Sequence, residues 1–114
     1  MLEKLEHIIM LNDFYGPLLT EKQRTVLNLH YENDWSLAEI ADNMNISRQA
    51  VFDLLRRAES ALQEYEKRLH LAQRFLDTRQ ELEEVYRLLS HRDAVDPEKV
   101  ARAADILKKL TDSV

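Results

Sequence analysis

A chain of 114 residues, 45% of them hydrophobic, is long enough for one small domain with or without a helical extension, and one glycine and two prolines leave little to interrupt long helices. The absence of cysteine excludes disulfides, thiolate metal sites and cysteine nucleophiles. With no apolar run approaching the ~18 residues of a membrane span, and no basic segment leading into a hydrophobic core at the N-terminus, the expectation is a cytoplasmic protein without membrane insertion.

The net charge of −5 is unevenly spread. Residues 1–46 carry 3 basic and 8 acidic side chains, residues 47–79 carry 7 and 5, and residues 80–114 carry 6 and 8. Nucleic-acid affinity comes largely from phosphate neutralisation, so such a chain would have to bind through a local patch in its middle third, with steep salt dependence.

In chain order, Leu2, Leu5, Ile8, Ile9, Leu11, Phe14 and Tyr15 recur at helical spacing and predict a helix over 2–14, stopped by Gly16-Pro17. Thr20 and Gln23 form a capping box for a second helix, whose apolar positions Val26, Leu27, Leu29 and Tyr31 run to a turn at Glu32-Asn33-Asp34. Ser36 and Glu39 make another box, with Trp35 placed to staple onto Ile40. Leu37, Ile40 and Ala41 follow as a buried stripe, and the small Ala41 lets the next helix cross closely.

The turn Asn43-Met44-Asn45-Ile46 supplies asparagines that tolerate a left-handed backbone, with Met44 and Ile46 as core plugs. Ser47 caps the helix that follows. There Ala50, Val51, Leu54 and Leu55 face inward, while Ser47, Arg48, Gln49, Phe52, Asp53 and Arg56 take outward positions, those that enter a major groove when such a helix reads DNA. Two capped helices joined by a short polar turn over 36–57 are the sequence form of a helix-turn-helix.

Val51, Leu55, Ala58, Leu62, Tyr65, Leu69, Ala72 and Leu76 continue as a heptad seam without glycine or proline, which predicts a helix much longer than the motif needs. Beyond Leu76 the register falls on Arg79 and Glu83, so a phase shift or break is expected near 70–80. Asp96-Pro97 starts the last helix, with a staple expected between Val95 and Val100, an apolar face of Val100, Ala103, Ala104, Leu107 and Leu110, and Lys108 and Lys109 near its C-terminal dipole. The expected fold is all-α: a helix-turn-helix domain over 1–68 with a long helix, and a C-terminal helical extension over 69–114 that pairs two copies. The homodimer is expected through residues 58–110.

The segment from Leu19 to Leu62 resembles region 4 of bacterial sigma factors, through Leu19-Thr20-Glu21-Lys22-Gln23-Arg24, Leu27 to Tyr31, Glu39-Ile40-Ala41, Ile46-Ser47, Val51 and Arg57-Ala58. Phe52 and Asp53 stand where small or basic residues belong in that family, so its promoter contacts do not transfer. A longer resemblance is to the YlxM family of small bacterial helix-turn-helix proteins. It runs through Leu11-Asn12-Asp13-Phe14-Tyr15, Trp35 to Ala41, Ile46 to Val51 and Leu62 to Lys67. This resemblance implies a regulatory protein of the signal recognition particle pathway, an inference that family draws from gene neighbourhood.

Two readings of the outward face follow. As a DNA reader, Arg48 and Gln49 would contact base edges while Arg56 and Arg57 hold phosphates, with Asp53 an obstacle unless it pairs with an arginine or a cytosine amino group. As a partner of the translocation machinery, Phe52 ringed by Arg48, Gln49 and Arg56 would meet the particle's GTPase, its receptor or its RNA.

Nothing points to an enzyme, a cofactor, a metal or a small-molecule substrate. His7, His30, His70 and His91 are scattered, there is no glycine-rich phosphate loop, and the carboxylates Glu64-Glu66 and Glu81-Glu83-Glu84 read as solvated helix faces. Met10 and Met44 read as core fillers, Tyr65 and Tyr86 as covers of a helix seam.

Overall fold

A computed structural model describes residues 2–90 and 96–113. Among them there are six α-helices and no strand: α1 (Leu2–Tyr15), α2 (Glu21–Leu27), α3 (Leu37–Met44), α4 (Arg48–Leu69), α5 (Leu71–Leu89) and α6 (Pro97–Asp112). The fold is all-α, and its contacts divide it into two compact units, residues 1–72 and 73–114.

In the first unit α1, α2 and α3 all pack on α4. Ile8, Leu11 and Tyr15 of α1, Val26 and Leu27 of α2 and Ile40 and Ala41 of α3 are buried with Val51, Leu55, Ala58 and Leu62 of α4. Met10, Met44, Ile46 and Trp35 are half-buried against this core. Gly16-Pro17 ends α1 in a 3-10 turn over Gly16–Leu18, closed by the Leu19 amide donating to the Gly16 carbonyl at 3.0 Å.

Both expected capping boxes are formed. The Gln23 amide donates to Thr20 Oγ1 at 3.2 Å and the Glu39 amide to Ser36 Oγ at 3.1 Å, with the reciprocal backbone-to-side-chain bonds present. After Leu27 the helix widens into a π turn over Asn28–Glu32, in which the Asn33 amide reaches the Asn28 carbonyl at 3.0 Å. Asn28 Oδ1 accepts from Asn12 Nδ2 at 2.8 Å, tying α1 to that turn.

The expected seam from Val51 to Leu76 is cut at His70, where the backbone is left-handed at φ 55°. Leu62 is buried and Tyr65 half-buried, but Leu69 is 47% exposed, so the stripe leaves the core before the helix ends. A β-carbon-bearing residue pays about 1–2 kcal/mol for this conformation, and a hydrogen-bond cluster offsets it. Tyr15 Oη donates to Glu66 Oε1 at 2.5 Å and accepts from the Leu71 amide at 3.0 Å, while the same Glu66 oxygen accepts from the Ala72 amide at 3.0 Å. Glu66 thus caps α5 with a negative charge at its N-terminus. This corrects the reading of Glu66 as a solvated carboxylate; Glu64, which is exposed and pairs with Arg68 at 3.1 Å, does conform to it.

In the second unit α5 and α6 run antiparallel, with Arg102 donating to Glu84 at 3.0 Å and Leu88 beside Lys99 in one shallow groove. Asp96 caps α6 by accepting from the Glu98 amide at 3.0 Å, and Pro97 occupies its first position. Tyr86 is 74% exposed and does not cover the contact between α5 and α6 within the chain, because the face of α5 turned to α6 is the one holding Val85 and Leu88. The expected Val95 staple and His91 lie outside the described residues.

Burial, then the hydrogen bond to Glu66, raises the pKa of the Tyr15 hydroxyl; burial and the hydrogen bond to Glu59 do the same for Tyr31. A tyrosine whose folded pKa lies above its unfolded value stabilises fully below that unfolded value and loses the contribution as pH rises through the folded one. Urea midpoints should therefore hold steady from pH 7 to 9 and fall above about pH 10. Tyr15→Phe should lower stability by about 1–3 kcal/mol at pH 7, leaving the Leu71 amide unpaired, and should lessen the alkaline fall, the share due to Tyr31 remaining.

Gly16 supplies a second test. A β-carbon there would sit 2.7 Å from Asn12 Oδ1, a buried atom with no hydrogen-bond partner among the described residues. Gly16→Ala should cost about 1–2 kcal/mol in chemical denaturation by overpacking the end of α1.

Candidate recognition surface

The turn between α3 and α4 fixes how α4 begins. Asn45 takes the left-handed conformation, φ 56° and ψ 45°, and the Ile46 amide returns to the Ala41 carbonyl at 3.1 Å. Of the two asparagines only Asn45 is used this way; Asn43 remains helical. Ser47 Oγ then accepts from the Ala50 amide at 3.0 Å, and Val51, fully buried, anchors the first turn from the inside.

With that anchor set, helical geometry turns Ser47, Arg48, Gln49, Phe52, Asp53, Arg56 and Arg57 outward, and all seven are exposed. Ala50 and Leu54 are half-buried and Leu55 is buried, so the inward stripe is as expected from spacing. The Arg56 guanidinium lies 5.7 Å from the centre of the Phe52 ring, which itself remains 42% exposed. Gln49 Nε2 donates to Asp53 Oδ1 at 3.1 Å. Asp53 is therefore held by Gln49, one helical turn back, rather than by Arg56 or Arg57.

Among the described residues none of Arg48, Arg56 and Arg57 forms an ion pair, whereas Arg68, Arg79 and Arg102 each do. Asp53, Arg56, Arg57, Ser60, Ala61 and Glu64 line a shallow open groove that continues the face along α4. Sequence reasoning stopped at Arg57; the signal for Ser60, Ala61 and Glu64 was the same i, i+3, i+4 spacing carried one turn further.

Among the described residues no three His, Asp or Glu side chains come together to hold a metal, and His30 is engaged through Nδ1 with the Trp35 carbonyl at 2.9 Å. No helix of the described residues is long and apolar enough to cross a membrane.

The profile of a family described as "Putative helix-turn-helix protein, YlxM / p13 like" matches residues 2–106. The chain belongs to this family. Similar YlxM/p13-like relatives include a UPF0122 protein of Desulforamulus reducens, 42% identical over 110 residues that cover 96% of this chain and 94% of the relative. UPF0122 proteins of Bacillus mycoides and Bacillus anthracis are 41% and 40% identical over the same length, covering 99% of each relative. The match spans both compact units, so the α5–α6 hairpin of this YlxM/p13-like chain is as much a part of the family as its helix-turn-helix.

Removal of the Ser47 hydroxyl tests whether the cap sets this face. Ser47→Ala should lower stability by about 1 kcal/mol and raise hydrogen exchange at the amides of Gln49 and Ala50, while the Thr20 and Ser36 caps keep their protection.

Proposed function

We propose that this YlxM/p13-like chain is a cytoplasmic, non-enzymatic regulatory protein of the signal recognition particle pathway, and that it docks on a protein component through the outward face of α4. The pathway is what the family resemblance implies, and the observation that carries the docking reading is the exposed Phe52 with the Arg56 guanidinium stacked on it and Asp53 beside it. An aromatic ring and unpaired arginines at the centre of a patch have the composition of a protein-binding hot spot. A carboxylate in the middle of the same face is tolerated by a protein partner and opposed by a phosphate backbone. The net charge of −5 supports the same preference.

A second reading, a sequence-specific DNA-binding regulator, is favoured by one observation. The first turn of α4 presents Arg48 and Gln49 where a recognition helix places its base-contacting residues. Against it, Gln49 already donates to Asp53 and would have to exchange that bond for an adenine edge.

Titration of the purified chain against the particle's GTPase, its receptor, its RNA and the promoter of its own operon, each across a salt series, separates the readings. The protein-docking reading expects salt-tolerant binding to the GTPase or receptor, weakened at least 10-fold by Phe52→Ala or Arg56→Ala. The DNA reading expects steep salt dependence, loss of sequence discrimination in Arg48→Ala and uniform weakening in Arg57→Ala. Binding to no component of the particle would overturn the first reading, and no mobility shift at low salt the second.

A further inference from the structure

The second unit does not bury enough to stand as a two-helix layer. Val85 and Ala103 are the buried apolar side chains of α5 and α6 among the described residues from 73 onward. Two short helices sharing so small a core are marginal in water, since helical stability comes chiefly from covering an amphipathic face.

Most of the uncovered apolar side chains of this unit share one side, Leu76 on the opposite side of α5 being the exception. On α5, Leu82 is 47%, Tyr86 74% and Leu89 51% exposed, and their spacing of four and three is the heptad rhythm. On α6, Val100 is 44% and Leu107 42% exposed, with the small Ala104 between them. At 3.6 residues per turn each trio spans about 60° of its helix. Each also lies on the same rotational side of the buried residue, Val85 or Ala103, that points its helix at the other.

Rotation in the same sense on two antiparallel helices leads to the same face of the hairpin. The antiparallel arrangement is shown by the Glu84–Arg102 ion pair and by a groove that Thr78 and Leu110 line together. One side of the α5–α6 hairpin is therefore a continuous apolar surface built from both helices.

We infer that this surface is covered by the same surface of a second copy, closing a four-helix bundle between two α5–α6 hairpins. The five large side chains leave roughly 500 Å² exposed, at about 200 Å² for a full side chain, so two copies would bury about 1,000 Å² from these residues alone, the threshold for a specific interface. A patch of that size also sits within the range of the largest a typical monomer exposes, where function is the usual explanation. A self-complementary apolar face with a heptad rhythm on each helix is what a two-fold bundle requires. Of the expected interface over 58–110, Ala58 and Leu62 are unavailable, because they are buried in the chain's own first unit. The pairing is independent of what α4 recognises.

Sedimentation equilibrium and light scattering of the full chain from 1 to 100 µM test the inference. The expected mass is twice the 13.5 kDa of one chain, with a thermal midpoint that rises with concentration. Leu82→Glu with Tyr86→Glu should raise the dimer dissociation constant at least 100-fold. Because the chain has no cysteine, a single Tyr86→Cys gives an independent readout that leaves most of the surface in place. A short bismaleimide should link two Tyr86→Cys chains and fail to link two Arg57→Cys chains. Phe52→Ala should leave the dimer intact whatever it does to partner binding, so loss of one property does not carry the other. A monomer at 100 µM, a dimer that survives the double charge substitution, or linking only at position 57 would overturn the proposal.

Discussion

One face of α4 organises the first 72 residues. Val51, Leu55, Ala58 and Leu62 form a single stripe on which α1, α2 and α3 are all laid, so the three preceding helices share one support. Because the inward stripe is fixed by packing to native density, the outward residues of the same helix have no rotational freedom. The exposure of Arg48, Gln49, Phe52 and Arg56 is thus a consequence of core packing on the opposite side of the helix rather than of anything those residues do themselves.

The same constraint explains how α4 ends. The stripe that binds α1 runs out after Tyr65, and the next apolar position, Leu69, reaches solvent. At that level the buried hydroxyl of Tyr15, brought in by α1, meets Glu66 and the amides of α5. A helix interior has no free amides to offer, but a broken helix has; the left-handed turn at His70 releases the Leu71 and Ala72 amides to Tyr15 and Glu66. A polar group that would be costly to bury alone is thereby satisfied by the interruption of the backbone.

The two surfaces left exposed differ in chemistry. The α4 face mixes an aromatic ring, three arginines and a carboxylate, and suits a partner with polar complementarity. The α5–α6 face is aliphatic and aromatic with a coiled-coil rhythm, and suits another helical layer. The inferred self-association and the proposed partner recognition thus call on different residues.

Much of this was legible in the chain. The capping boxes at Thr20 and Ser36, the serine at 47, the Gly16-Pro17 stop and the Asp96-Pro97 start act within three or four residues, so local hydrogen bonding and backbone stereochemistry decide them before any tertiary contact forms. Helical spacing likewise determined which residues of α4 face out, since 3.6 residues per turn and a buried stripe leave no choice. The break was expected over a ten-residue window, but its position could not be read, because His70 is neither glycine nor proline and the heptad seam passes through it. That position depends on a hydroxyl 55 residues away in the sequence. Glu66 and Tyr86 carry the same lesson in opposite directions: one looked solvated and is held by Tyr15, the other looked like a seam cover and is left exposed by its own chain. Short-range chemistry is written in neighbouring residues, whereas the fate of a side chain that could serve either water or a distant partner is decided only when folding brings that partner within about 3 Å.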